Sequence, residues 1–436
     1  MAENIDTVAL NRAGRRAAEK RSRRMRRTGA VLAAGAATFG TTATVIGVTA
    51  GSAGASELTV TNLNATGAGS LHDVAEGAAD GDVIVFQAGL TGTITLTDEI
   101  NVDTSITIQG PGASVIDVKG PAGNQIFDID GPSSSARIDV VISGLTLSDG
   151  SGGFGGAIQV DDANLTVRDA VLTGNDSTGG GGAIAGEDDN MDLVIENSQI
   201  TGNTADGEGG GIYWYSDGGS MTVTGSAVDN NTASGEGGGI WTELFESTAP
   251  FTLTNSSVSG NTAGDNGGGL SVYFTPVAIT NSTISGNTAG DAGGGAFIYY
   301  TPGDLTIANS TISGNTASNS GGGLYIYWVT GNLTITNTTI SGNTAETGGG
   351  AFIRYLIGDS ANVTGSVISG NHATDGWGGG LYLAHSHVPT TIAFTTIAGN
   401  DSTNSGGGVE WFDSDGVLRI LNSTLSGNTS GENGGG

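Results

Sequence analysis

The sequence predicts an all-β chain wound as a right-handed parallel β-helix solenoid, with coils of about 28 residues and a short N-terminal capping helix. Three observations point there. An asparagine recurs at 175, 203, 231, 261, 287, 315, 343, 371, 400 and 428, with spacings of 26 to 30 residues. A fixed period of this size marks a solenoid. The repeats are rich in Thr, Ile, Val, Gly and Asn and poor in Ala, Leu, Lys and Glu, which excludes helical solenoids. Finally, 79 of 436 residues are glycine while only 7 are proline and none is cysteine, so the glycine excess belongs to the repeat and not to disorder.

Residues 1–55 read as an export signal. Nine of the fourteen basic residues lie between Arg12 and Arg27, an uncharged run of small and apolar residues follows, and Ala53-Gly54-Ala55 supplies a small-x-small cleavage pattern. The pairs Arg23-Arg24 and Arg26-Arg27 hint at twin-arginine export. No second apolar span follows, so no transmembrane segment is expected in the mature chain.

Residues 56–136 form an N-terminal cap and irregular first coils. Leu71–Ala79 has an amphipathic helix pattern, and Val83–Phe86, Ile94–Leu96 and Ile106–Ile108 read as strands. A helix over the open end of a solenoid protects its edge. From 137 to 436 the coils are regular, with the consensus L-T-I-T-N-S-T-I-S-G-N-T-A, a polar stretch, G-G-G and a hydrophobic strand. Three short strands and three turns account for one coil, and eleven coils at about 4.8 Å make a rod of about 50 Å. The second asparagine column, Asn197, Asn255, Asn281, Asn309, Asn337 and Asn422, falls at a bend, where asparagine tolerates a left-handed backbone. Stacked amides in such columns are expected to bond from coil to coil. The triple glycines make side-chain-free corners. The sequence stops after one of them, at Gly436, so the last coil reads as truncated and a C-terminal cap or anchor as missing.

These motifs carry a resemblance. The G-G-G-[ILAV] element with Ile284–Asn287 resembles the G-G-A-I and F-x-x-N repeats of polymorphic outer-membrane proteins, with isoleucine in place of phenylalanine. Ser70-Leu71-His72-Asp73-Val74, with Gly81–Phe86 and Ile108–Gly112, resembles the start of bacterial right-handed β-helix repeat proteins. The resemblance covers about residues 56–436. It implies a secreted or cell-surface, adhesin-like protein, on a fold that also hosts polysaccharide lyases and hydrolases.

Charge excludes several functions. Beyond Ala55 only Lys119, Arg137, Arg168, Arg354 and Arg419 stand against 40 carboxylates, so nucleic acid and anionic lipid are repelled. Without cysteine there are no disulfides, iron–sulfur clusters or thiolate zinc sites. The acidic clusters Asp161-Asp162, Glu187-Asp188-Asp189 and Asp413/Asp415 read as solvated turns after core strands, so no catalytic residue is assigned. A metal at His385 and His387 is not supported, because His372 falls on another side of the coil. No cofactor is required. At the turns carrying Asp206/Glu208, Glu236, Asp265, Asp291, Glu346 and Asp375, carboxylates about 4.8 Å apart repel by about 0.9 kcal/mol even in water. Bridging calcium would relieve that, beside the plainer reading of an acidic, soluble edge.

The functional signal is aromatic. All nine tyrosines follow a triple glycine within five residues. In that strand the first and third residues are mostly aliphatic and face the core, so the second and fourth face outward. Stacked coils then form an exposed stripe of Tyr213, Tyr215, Trp241, Tyr273, Phe297, Tyr299, Tyr325, Tyr327, Phe352 and Tyr382. Such a stripe serves either as sheet-stabilising ring stacking or as a contact surface for polysaccharide or a surface protein. The leading expectation is a non-catalytic glycan- or protein-binding surface protein. A polysaccharide lyase or glycoside hydrolase, and a structural spacer, are the alternatives.

Overall fold

The computed structural model describes residues 55–436; the export signal read from residues 1–55 lies outside them except for Ala55. Every named strand pairs in parallel with the copy one coil away, and the strands stack into four sheets. We number them in the order the chain visits them. Sheet I has 14 strands, from Glu57–Val60 to Leu418–Leu421, and sheet II has 13, from Gly92–Thr95 to Thr424–Ser426. Sheet III has 11, from Ser151–Gly152 to Thr429–Ser430, and sheet IV has 12, from Ile100–Val102 to Val409–Phe412. A coil therefore has four strands where three were expected. The extra one is the two-residue Thr-Ala segment, such as Thr316–Ala317, too short to show periodicity. Fourteen strands at about 4.8 Å span about 60 Å, longer than the expected rod because the irregular first coils belong to the same stack.

Alternation places the core inside the tube. Leu305, Ile307, Ile312, Leu324 and Ile326 are fully buried, while Thr306 and Thr311 between them are half-exposed. The triple glycines are forced by backbone contact between coils. Gly321 has φ +68°, and a Cβ on Gly322 would lie 2.5 Å from the carbonyl oxygens of Gly349 and Thr344.

The Gly-Asn column is a buried amide ladder. Asn315 Oδ1 accepts from the Asn287 backbone N–H at 3.0 Å and from Asn287 Nδ2 at 2.9 Å, and Asn287 Nδ2 also donates to the Val258 carbonyl at 2.9 Å. The pattern runs from Asn175 to Asn428. The second asparagine column behaves differently. Asn197, Asn255, Asn281, Asn309, Asn337 and Asn422 all adopt φ between +47° and +51° or +52°, as the bend requires, but the amides join only at Asn337 to Asn309 among the described residues. Their side chains point to solvent, so water satisfies them. The ladder at this corner is built instead by the next residue. Ser282 N–H donates to Ser310 Oγ at 3.2 Å, and the same step recurs from Ser198 to Ser423.

The capping helix α1 spans Leu71–Glu76, shorter than the Leu71–Ala79 expected. Ser70 caps it by accepting from the Asp73 N–H at 3.2 Å. Gly77 ends it, and the Ala79 N–H turns to Asp82 Oδ2 at 2.9 Å, which leads into the next strand. Leu71 and Ala75 are buried, and the helix packs against the first strands of sheets I and IV. Among the described residues no helix is long and apolar enough to cross a membrane.

Replacing Asn315 with Ala removes the acceptor of two buried donors on Asn287 and two donations of its own. Each orphaned group costs about 1–3 kcal/mol, so a loss of about 4 kcal/mol is expected in urea unfolding. Asn309→Gly, which keeps the left-handed bend, should change stability by less than about 0.5 kcal/mol.

Candidate binding face

Sheet IV brings the predicted aromatic residues together in register. Tyr213 pairs with Trp241, Phe297 with Tyr325, Tyr325 with Phe352, and Phe352 with Tyr382 at the second position of the strand. At the fourth position Tyr273, Tyr299 and Tyr327 follow one another, and Tyr215 stands two coils before them, across from Glu243.

The expected exposure of this stripe needs correction for half its members. Tyr213, Trp241, Tyr273, Phe297 and Phe352 are buried, whereas Tyr215, Tyr299, Tyr325, Tyr327 and Tyr382 are half-buried. The second and fourth residues do point away from the tube, since none of the buried five joins the main core cluster. They are covered by one another. Ring centroids lie 4.8 Å apart for Phe297–Tyr325 and 5.1 Å for Tyr325–Phe352, with interplanar angles of 6° and 1°. Tyr213 and Trp241 stack at 4.7 Å and 5°. The coil spacing falls within the range of centroid separations of offset-stacked rings, so the flat faces are used up in stacking and mainly edges meet solvent. Trp241 is further held by Nε1 donating to Glu236 Oε2 at 3.2 Å, and Tyr273 donates its hydroxyl to the same oxygen at 2.5 Å.

A second column was missed. Directly after the fourth position the chain turns, and Phe274, Tyr300, Trp328, Tyr355 and His385 occupy this bend in five successive coils with φ of +57°, +56°, +67°, +59° and +48°. A left-handed backbone costs a bulky side chain about 1–2 kcal/mol, and asparagine or glycine would avoid most of that. The rings from Tyr300 to Tyr355 are tilted, with Tyr300–Trp328 at 5.9 Å and 52° and Trp328–Tyr355 at 6.0 Å and 41°, whereas His385 stacks on Tyr355 at 5.0 Å and 12°. Tilting leaves part of each face open. At one end Phe245, Phe274, Pro276, Tyr300 and Pro302 line a cavity of about 510 Å³. The signal lay in the doublets Tyr273-Phe274, Tyr299-Tyr300 and Tyr327-Trp328, whose repeat at the coil period goes beyond alternation.

The face is electrically polar. Toward the N-terminus the fourth position is acidic: Asp130 pairs with Asp161, and Glu187 follows in the next coil. Both Asp161 and Glu187 end strands, Ile158–Asp161 and Ile184–Glu187, and do not lie in solvated turns as expected. Toward the C-terminus Arg354 takes that position, opposite Tyr327 and Ala384. Burial pushes the Tyr325, Tyr327 and Tyr382 phenols and the Glu410 carboxyl up from their ordinary values.

Neither metal expectation finds a donor set. His385 Nδ1 meets Asp413 Oδ2 at 3.1 Å, His387 Nδ1 meets Asp415 Oδ1 at 2.6 Å, and His372 bonds Asp401 from sheet III. Each histidine thus takes its own carboxylate from the next coil. Among the described residues no three histidine or acidic side chains converge, so calcium bridging at Asp206, Glu208, Glu236, Asp265, Asp291, Glu346 and Asp375 has no cage to rest on.

Two outcomes separate the ring columns. Trp241→Ala should cost about 3–5 kcal/mol in chemical unfolding, and Trp328→Ala about 1 kcal/mol, because only the first empties a buried site. Tyr325, Tyr327 and Tyr382 stay neutral in the fold at a pH that ionises unfolded tyrosine, so stability should fall as pH rises above 10.0. Phenolate absorbance that lags until the chain unfolds would show it.

Comparisons with known proteins give a family and several similar structures. Among solved structures, the surface adhesin PfbA of Streptococcus pneumoniae is similar at 11% identity, over 83% of this chain and 87% of its own, with a TM-score of 0.43. The A-module of the Azotobacter vinelandii mannuronan C-5 epimerase AlgE6 is 14% identical over 84% and 92%, with a TM-score of 0.38. The catalytic domain of a GH87 α-1,3-glucanase is 14% identical over 80% and 64%, with a TM-score of 0.35. No curated protein matches the sequence. At these identities the likenesses speak only to fold, and the narrower likeness to polymorphic outer-membrane proteins stays an expectation from the repeat motif. The profile of the right-handed β-helix region matches residues 131–312 and 278–435, and the chain belongs to that family.

Proposed function

We propose that this is an extracellular, adhesin-like protein that binds glycan, without transforming it, along the aromatic face of sheet IV. The carrying observation is the bend column. Tyr300, Trp328 and Tyr355 are half-buried rings at positive φ, in a place where smaller residues would fold at lower cost. Stacking alone does not explain Tyr300 and Trp328, because the planes of the three rings are inclined to one another by 52° and 41°, and only Tyr355 stacks, on His385. Flat apolar faces with polar rims suit pyranose rings, and the adjoining cavity has the size of a small-ligand site. Export, read from residues 1–55, would place the face outside the cell, with no partner among nucleic acids.

The test is retention of the full chain by a panel of insoluble polysaccharides. Changing Tyr300, Trp328 and Tyr355 together to Ser should weaken retention tenfold or more, while the same change at Tyr299, Tyr325 and Tyr327 should weaken it less. If no polysaccharide retains the protein, or if the bend variant is retained like the parent, the reading fails and a protein contact or a spacer takes its place.

One observation favours hydrolysis as a second reading. Asp130, Asp161 and Glu187 rise in register on the same face, beside Tyr213 and Tyr215. Carboxylates one coil apart, about 4.8 Å, approach the separation of a retaining glycosidase pair. Reducing sugar released from any member of the panel, and abolished by Asp161→Asn, would move the protein to that class.

A further inference from the structure

We propose that Arg354 is a carboxylate-binding subsite within the aromatic face, so that the glycan held there carries uronate groups. This deepens the glycan-binding reading and rests on it.

Five basic residues occur among the described residues, and Arg354 is the one on a sheet IV strand. It interrupts the column Tyr273–Tyr299–Tyr327, and the next residue in register is the small, buried Ala384. The guanidinium is held from two directions. Nη2 donates to His385 Nε2 at 2.9 Å, and the plane lies 4.8 Å from the Tyr355 ring centroid. His385 itself lies with Nδ1 3.1 Å from Asp413 Oδ2 and stacks on Tyr355 at 5.0 Å.

That arrangement positions the cation without neutralising it. The partner of the guanidinium is an imidazole lone pair, and Arg354 makes no ion pair with a carboxylate among the described residues. Its Nε is buried and has no hydrogen-bond partner. A half-buried guanidinium without a carboxylate partner is an incomplete site, since such groups are ordinarily satisfied by an acceptor of opposite charge. The planar fork matches a carboxylate through two parallel bonds. Around it, Tyr327, Tyr355 and Tyr382 are half-buried rings that supply apolar surface. The acidic groups on the same face are Asp130, Asp161, Glu187 and Glu243, several coils away, and Glu410 and Asp413, two coils on. They repel an anion elsewhere on the face, which leaves Arg354 as its seat.

Affinity electrophoresis of the full chain through polygalacturonate, through its fully methyl-esterified form and through dextran sulfate tests this. The parent should be retarded about tenfold more strongly by polygalacturonate than by the ester. Arg354→Gln should abolish that preference. Arg354→Lys, which keeps the charge but loses the fork, should recover only part of it. Melting curves matching the parent establish that both variants are folded, and if Arg354→Gln is not, Arg354→Lys carries the comparison. Equal retardation of the parent by acid and ester, or a preference that survives Arg354→Gln, overturns the subsite and leaves glycan binding standing. Dextran sulfate bound as tightly as polygalacturonate overturns the carboxylate assignment in favour of sulfate. No retardation by any of the three overturns the subsite together with the glycan reading, on which it depends.

Discussion

Everything in this protein depends on backbone hydrogen bonding between coils about 4.8 Å apart. That spacing leaves no room for side chains at the Gly-Gly-Gly corner, where carbonyls of adjacent coils pass within 2.5 Å of where a Cβ would stand. It also lets one asparagine per coil satisfy the next. An amide has two donors and an acceptor, and in the chain from Asn175 to Asn428 each meets a partner inside a dry tube. Buried polar groups are costly when unmet, so the ladder ties the register of every coil to its neighbours.

The same spacing governs the outer face of sheet IV. Rings in register stack because the coil rise falls within the range of offset-stacked ring separations, and stacking hides Trp241, Phe297 and Phe352 although they point away from the core. A stacked ladder is a stabilising element. A contact surface needs ring faces not used up in stacking, and the tilted, half-buried rings of Tyr300 and Trp328 occur where the chain bends into the left-handed region. Strain tolerated coil after coil at one corner, next to an acidic column at one end and Arg354 at the other, gives this side of the solenoid a chemistry the remaining sides lack.

Much of this was legible in the residues. The period, the core alternation of Leu305/Ile307 and Leu324/Ile326, the positive φ at Asn309 and the glycine corners all follow from local chemistry repeated at a fixed interval. Less was legible where an outcome depends on length or neighbours. Thr316–Ala317 is a strand only because its copies above and below pair with it. The helix stops at Glu76 because Asp82, in the following strand, captures the Ala79 N–H.

By itself the sequence determined the solenoid, its coil length, its inward residues and the side on which aromatic residues gather, because each of these is a periodic or local property of the chain. Only the tertiary structure decided which rings are covered, which are tilted open, and that Asp161, Glu187 and Arg354 share a column with the tyrosines. Those properties arise between coils about 28 residues apart in sequence, where register and bend handedness place side chains that no local pattern relates.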